Sequence, residues 1–435
     1  MSEQRRTAVS HRGTETQRVP LLRASVSLCE TVLFVDYSVG FGGAVKSLAL
    51  TLRGLGGVDA RIVTTQDAEQ VDAWFGGRPV SGFRRWINYR TTQRVSRRVR
   101  AQAVRWMALK ALAVADVAVT LGNAAWLAWT IRRGRVEVVH LNNGFLPAEA
   151  LLAARITGTP CIVHLRDFLH DPRAASSWAA GCVSTVIAVS DAVAESVRPA
   201  FAGRVVTVHD PVDLDAVERA AGERERVRAA CGLDETDIAV GIFGRVIPWK
   251  GQLEFVRAAI LAMRADPAIR AVVVGDESDG GPEYFERVRR AIRESGMEGR
   301  FVLAGYQRDV EGWYAAMDVV VHASITPEPF GMVVPEAMAA GCAVIAADAG
   351  GPREVVTHDV DGLRVPPGDV EALADAIARL CADPELRARM GARARQTARE
   401  RFGIGANAAA VRRVYAEVLG RGAERAGSVP AAVLP

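Results

Sequence analysis

At 435 residues the chain is longer than one hydrophobic core usually serves, so two domains with terminal extras are expected. It is 49% hydrophobic and 24% charged, the balance of a globular protein, and a net charge of +4 singles out no partner by charge alone. Cys29, Cys161, Cys182, Cys231, Cys342 and Cys381 are widely scattered and form neither a C-x-x-C pair nor a zinc spacing. That excludes a disulfide scaffold and predicts a reduced, cytoplasmic protein whose thiols are small core residues.

Residues 1–30 mix Arg, Ser, Thr and Gln without periodicity and are expected to be a disordered tail. They do not read as a signal peptide, because Arg23 and Glu30 interrupt the first apolar run. TVLFVDYS, from Thr31, is a first strand, and VGFGGAVKSLALTL is a glycine loop opening a helix. Gly42 and Gly43 lack a Cβ, so backbone N–H groups there can approach an anion at the helix start, although a lone Gly-Gly is common for geometric reasons. DARIVTT, from Asp59, is a second strand. The pattern then departs from compact α/β: between Asp72 and Asp116 stand ten basic residues, Arg78 to Lys110, and no acidic one. A helix over 90–107 would place Arg90, Arg94, Arg97, Arg98 and Arg105 on one face and Val95, Val99, Ala103 and Trp106 opposite. Two readings stay open, an anchor lying on an anionic membrane surface and an ordinary solvated helix. Nucleic acid is disfavoured because no recognition motif accompanies the charge. Ala111 to Ile131 approaches the roughly 20 apolar residues of a membrane span. Asp116, Gly122 and Asn123 interrupt it, and it reads better as a cytosolic helix feeding a third strand at 136–141.

Alternation then resumes with a helix from Leu146, the strands PCIVHL, TVIAVS and RVVTVH, and short helices between them. His164 ends a strand and is by default a structural hydrogen-bonding residue. Arg166 suits an acidic acceptor group or an ion pair with its neighbour Asp167. After a charged linker, DIAVGIFG opens a second series. In GRVIPWKGQLEF, Arg245 and Lys250 bracket a short loop and Gly251 starts a helix, a cradle for a diphosphate; alone it is also compatible with a solvated basic turn. The spacing is not that of a P-loop. The strand DVVVHAS leads into a loop stiffened by Pro327 and Pro329, then a short helix ended by Gly341 and the strand AVIAAD. Glu328 and Glu336 flank this loop at the carboxyl end of a strand, where open α/β sheets bind ligands, and paired carboxylates suit the hydroxyls of a polyol.

Gly244-Arg245-x4-Lys250-Gly251 and Glu328-x7-Glu336 together resemble family 4 glycosyltransferases, retaining nucleotide-sugar enzymes of the GT-B fold. The likeness is strong over 241–382, looser over 31–65 and 134–212, and absent from the tail and the basic insertion. It implies two Rossmann-like domains with parallel sheets facing across a cleft: an acceptor domain over 31–212 carrying an insertion at 73–133, a linker at 213–236, a nucleotide-sugar domain over 237–400, and at 401–435 a helix that crosses back and a tail. It implies donor phosphate near Gly42 and Gly43, His164 reaching the donor sugar, Arg245 and Lys250 on the diphosphate, and the nucleobase beside Tyr306, Gln307 and Asp309. Glu328 would hold the sugar and Glu336 the ribose, with Phe330, Gly331 and Met332 in the same loop. His209-Asp210 stands where relatives usually have Asn-Gly, a departure expected to matter little in a linker. The expected substrates are a UDP- or GDP-sugar and a sugar or lipid-linked acceptor hydroxyl, with Arg166 and Asp167 as acceptor contacts and no metal. A non-catalytic nucleotide- or membrane-binding subunit of the same fold is the alternative.

Overall fold

The β-branched runs of the sequence form short strands buried on both faces, as parallel sheets covered by helices require. The computed structural model describes residues 31–38, 42–65, 74–75, 78–82, 102–145, 147–171, 178–276 and 282–421. The tail expected at 1–30 and the arginine cluster at 84–100 lie outside them.

Seven strands make the first sheet: β1 (Thr31–Asp36), β2 (Asp59–Thr64), β3 (Val80–Gly82), β4 (Val138–Asn142), β5 (Cys161–Leu165), β6 (Thr185–Ala188) and β7 (Arg204–Thr207). Their order is β3-β2-β1-β4-β5-β6-β7. Six make the second: β8 (Ile238–Phe243), β9 (Ile269–Val274), β10 (Phe301–Gly305), β11 (Val319–His322), β12 (Ala343–Ala347) and β13 (Leu363–Val365), in the order β10-β9-β8-β11-β12-β13. All pairings between these strands are parallel. Strand order reverses between β1 and β4 in one sheet and between β8 and β11 in the other. Each reversal opens a crevice at the strands' carboxyl ends. The architecture is the expected GT-B pair of Rossmann-like units.

Two features correct the expectations. Val80–Gly82 adds an edge strand from within the inserted stretch, so the strand at Val138–Asn142 is the fourth, not the third. Three residues after a proline carry too little periodicity to announce a strand; pairing with Ile62 to Thr64 makes it one. The second feature is a single helix, Gln102–Arg133, where a basic helix over 90–107 and a separate apolar one were expected. Among its described side chains the core ones stand at its end: Ala124, Leu127, Ala128 and Ile131 are buried against the first domain.

The chain closes by crossing back. Helix Ile404–Val418 lays Ala408, Val411, Val414 and Tyr415 into the first domain's core beside Val32, Phe34, Leu48 and Leu52. Asn407 accepts from Thr51 Oγ1 at 2.9 Å and donates to the His209 carbonyl at 2.8 Å.

Candidate functional site

At the second sheet's crevice, β11 delivers His322 and, two residues later, Ser324; the loop beyond them carries Glu328 inward. The Glu328 carboxylate, 5% exposed, accepts from Lys250 Nζ with both oxygens at 2.8 Å, from His322 Nε2 at 2.8 Å, and from the Ser324 hydroxyl. Burial works against its ionisation, but His322 and then Lys250 outweigh burial and hold the carboxyl far below the usual range. Lys250 comes from a 3₁₀ turn, Pro248–Lys250, after β8. Gly251 follows at φ +73°, and a Cβ there would stand 1.9 Å from the Ala323 carbonyl oxygen, so only glycine lets this turn press against β11. Gly350, at φ +60°, does the same behind Glu328: the Gly351 N–H donates to the Glu328 carbonyl at 2.9 Å and fixes the loop.

Beside this cluster lies a cavity of about 250 Å³. The strand exits of β8, β9 and β10 line it with Gly244, Arg245, Gly275, Asp276, Tyr306 and Gln307, and Glu336 closes its inner wall. Asp309, expected here, is not among the lining. Glu336, on helix Val333–Ala340, accepts from the Tyr314 hydroxyl at 2.9 Å and from Lys46 Nζ at 2.8 Å. Lys46 belongs to the first domain, on helix Gly43–Gly54 after the glycine loop, and also lies 3.6 Å from Glu311. Burial disfavours its charge, yet Glu336 and then Glu311 raise its pKa above the usual lysine value. Sequence reading passed over Lys46. The signal was a cation in a helix's first turn, where the dipole disfavours it unless an anion waits nearby.

The first sheet brings Asp36, Asn142 and His164 into register at the ends of β1, β4 and β5. Asn142 donates to Asp36 at 2.8 Å and accepts from Arg166 Nε at 2.7 Å. Arg166 is buried and pairs with Asp210 and Ser47, not with Asp167 as its neighbour position suggested. Asp167 instead accepts from the Phe168 N–H at 2.8 Å and stays exposed. The departure at His209-Asp210 therefore matters: Asp210 neutralises a buried arginine, and His209 stacks on Phe330 at 5.5 Å between ring centroids. Phe330 also meets Phe402, so its side chain is core, while Gly331 and Met332 lead into helix Val333–Ala340. Gly42 and Gly43 are exposed at the opposite helix start, with open space where a Cβ would stand.

His164 is fully buried and joins this first-domain network, apart from Lys250 and Glu328. A guanidinium has only donors, so Arg166 Nη2, 3.4 Å from His164 Nδ1, makes that nitrogen an acceptor and leaves the ring proton on Nε2. His140 Nε2, 3.3 Å from the same atom, must then donate, and its Nδ1 accepts from the Tyr415 hydroxyl at 2.8 Å. Both imidazoles are neutral: burial first, and Arg166 second, push His140 down to about 3 and His164 well below the ordinary histidine value. His164 is thus set to offer a hydrogen bond, and its Nε2 has no partner among the described residues.

The domains also touch through Glu354, on helix Gly350–Val355, whose two oxygens accept from the Asp191 and Ala192 N–H groups at 2.7 Å. Those are orphan donors at the start of helix Asp191–Val197, and Ser190 caps the next one.

Two family models match this chain, "Glycosyltransferase Family 4" over residues 44–216 and "Glycosyl transferases group 1" over residues 223–397. A D-inositol 3-phosphate glycosyltransferase of Kribbella flavida is 35% identical over 194 residues, 43% of this chain and 45% of that protein. A lipopolysaccharide core biosynthesis mannosyltransferase, LpcC, of Rhizobium leguminosarum is 34% identical over 192 residues, 44% of this chain and 54% of that protein. The chain thus spans about half the length of the curated relatives it matches. Among solved structures, Anabaena Alr3699/HepE in complex with UDP superposes with a TM-score of 0.71 at 26% identity, over 90% of this chain and 99% of that one. A Rickettsia africae glycosyltransferase, 20% identical with a TM-score of 0.74 over 90% and 99% of the two chains, shares the fold.

Proposed function

As a member of the family 4 glycosyltransferases, this chain, we propose, moves a glycosyl group from a nucleoside diphosphate sugar to an acceptor hydroxyl, with retention at the anomeric carbon. The observation that carries the proposal is the Glu328 cluster with Lys250 next to the cavity walled by Arg245 and Glu336. Supporting it, the Anabaena neighbour holds UDP in one structure and UDP-glucose in another.

The residues divide the work by charge. Arg245 and Lys250 lie at the exit of β8, where a diphosphate meets backbone donors and two cations. As the bond from the anomeric carbon to the phosphate oxygen breaks, negative charge grows on the leaving diphosphate, and these cations stabilise it in place of a divalent ion. Glu336 takes the ribose hydroxyls once they displace Lys46. Glu328 takes the donor sugar's hydroxyls and, being ionised, also faces the positive charge that develops on the sugar ring. The acceptor oxygen bonds to the anomeric carbon on the face the phosphate leaves, and its proton passes to a departing phosphate oxygen, so no enzymic nucleophile is needed. The acceptor rests on the first domain, at the carboxyl ends of its strands.

Calorimetric titration with UDP and GDP, followed by donor turnover, tests this. Glu336→Gln is expected to weaken binding of nucleotide and nucleotide-sugar alike. Glu328→Gln is expected to spare free nucleotide and lower turnover, because its interactions are made with the sugar. Equal losses of nucleotide affinity in both variants would show the roles misassigned, and nucleotide binding without any turnover would favour a non-catalytic subunit.

A further inference from the structure

Helix Gln102–Arg133 leaves an unusual surface. Trp106 is 58% exposed, Val114 72%, Val117 60%, Leu121 54% and Trp129 58%. Within Lys110–Arg133 an 18-residue window has a mean hydropathy of 1.5, yet only 17% of it is buried. At 100° per residue, the exposed positions between Trp106 and Gly122 cover an arc of about 200°, and Lys110 is the one charge in it. Leu112, Asp116, Val119, Thr120 and Asn123 fall on the remaining, half-covered side.

We propose that this face docks on the surface of an anionic lipid bilayer, with the helix lying in the plane of the headgroups. Three observations choose that occupant. First, a packed helix of a second copy covers a stripe of roughly 100°, half of the arc exposed here, whereas a bilayer wraps a wide apolar face. Second, each end carries a tryptophan with a cation over its ring, Lys110 at 4.1 Å from the Trp106 centroid and Arg133 at 5.4 Å from Trp129. Such pairs sit at headgroup level, and both tryptophans fall within the same exposed arc of the helix, which suits a helix lying flat. Burial of Ala124, Leu127 and Ile131 in the protein argues against the same helix crossing the bilayer. Third, charge is complementary: helix Gln102–Arg133 carries Arg105, Lys110, Arg132 and Arg133 against a single acidic residue, Asp116. A groove of about 660 Å³ continues the face, lined by Ala125, Ala128, Trp129 and Ile156 with Arg132 and Arg133 among its walls. That combination of apolar floor and guanidinium fits acyl chain and phosphate.

The docking face belongs to the domain on which the acceptor is proposed to rest, and its helix runs directly into β4. A lipid-linked acceptor follows from it. The docking itself holds whether or not the proposed donor chemistry does.

Flotation of the full chain tests the inference, with vesicles of phosphatidylglycerol and phosphatidylcholine against phosphatidylcholine alone, at 50 mM and 1 M salt. The expected result is flotation with anionic vesicles at low salt, at least tenfold weaker with the zwitterionic ones, and release at high salt, where the Debye length falls to about 3 Å. Val114→Gln, Val117→Gln and Leu121→Gln combined should reduce vesicle binding at least tenfold while the unfolding temperature and the thermal shift with UDP stay at wild-type values. A second variant, Arg132→Gln with Arg133→Gln, should lose the preference for anionic lipid. Wild-type protein that stays unbound at low salt overturns the proposal, and so does a triple variant that binds like wild type. A wild-type dimer that the triple variant dissociates, with no vesicle binding by either, overturns it in favour of a second copy.

Discussion

Lys250 holds both oxygens of Glu328 at 2.8 Å, so a diphosphate that binds there must compete for a lysine already engaged. Replacing Lys250 with Ala is expected to weaken nucleoside diphosphate binding by about 1.5–3 kcal/mol, the range for hydrogen bonds to charged groups, as read by calorimetry. The same variant carries a pH signature. Glu328 has a folded pKa depressed below its unfolded value, so it contributes stability above the unfolded carboxylate pKa and loses it as pH falls toward the folded one. Without Lys250 only His322 and Ser324 hold the carboxylate, the depression shrinks, and the acid-unfolding midpoint followed by circular dichroism should move to higher pH. An unchanged midpoint would mean that His322 alone sets the carboxylate's charge. The glutamates, Arg245 and Lys250 could be picked from the chain because their spacing is local. Lys46 and Asp210 belong to no such local motif, and their roles rest on partners 290 and 44 residues away.

At the scale of elements, the site depends on how closely loops approach strands. Gly251 sits at φ +73° with the Ala323 carbonyl where a Cβ would be, so Gly251→Ala must both strain the backbone and push the Lys250 turn away from β11. A stability loss of about 1–3 kcal/mol is expected in denaturant titration, together with loss of nucleotide affinity. Gly405→Ala is the control, because nothing stands within 4 Å of its Cβ position and the helix there gains a better helix former. Equal effects of the two substitutions would refute the close-approach argument. Strand–helix alternation was legible from apolar runs and glycine punctuation. The edge strand Val80–Gly82 was not, because three residues become a strand only by pairing with β2. Nor does periodicity reveal that helix Gln102–Arg133 is one rod, core at its end and exposed along most of its described length, since its apolar residues occur all round it.

On the scale of the molecule, the described residues tie the domains at several points: by Lys46 on Glu336, by Glu354 on the start of helix Asp191–Val197, by the crossing helix Ile404–Val418, and by His209 on Phe330. Tyr415 is the centre of the third tie, 1% exposed and bonded to His140. Tyr415→Ala should cost about 3–5 kcal/mol, the range for emptying an aromatic core position. Tyr415→Phe should cost about 1–3 kcal/mol, because it leaves His140 Nδ1 buried and unsatisfied. Both are measured by equilibrium denaturation. A Tyr415→Phe variant as stable as wild type would show that packing alone matters and that the hydroxyl does not order the His140–His164 pair.

By itself the sequence determined the two parallel α/β units and the loops and helix start that carry Arg245, Lys250, Glu328 and Glu336 to the second sheet's crevice. Each of these rests on contacts close in the chain: a strand end, a glycine turn and a helix start within about a dozen residues. Tertiary structure alone decided the rest. Arg166 turned from an acceptor contact beside Asp167 into the buried partner of Asp210, and His164 into a neutral donor whose tautomer Arg166 dictates. Glu336 gained a lysine from the other domain, and Phe330 became core against His209 and Phe402. Charge and residue type say what a side chain is able to do. Which partner it takes depends on which strands the topology sets side by side, and here β1, β4 and β5 come from chain segments separated by the long helix and the short helix Ala148–Thr157.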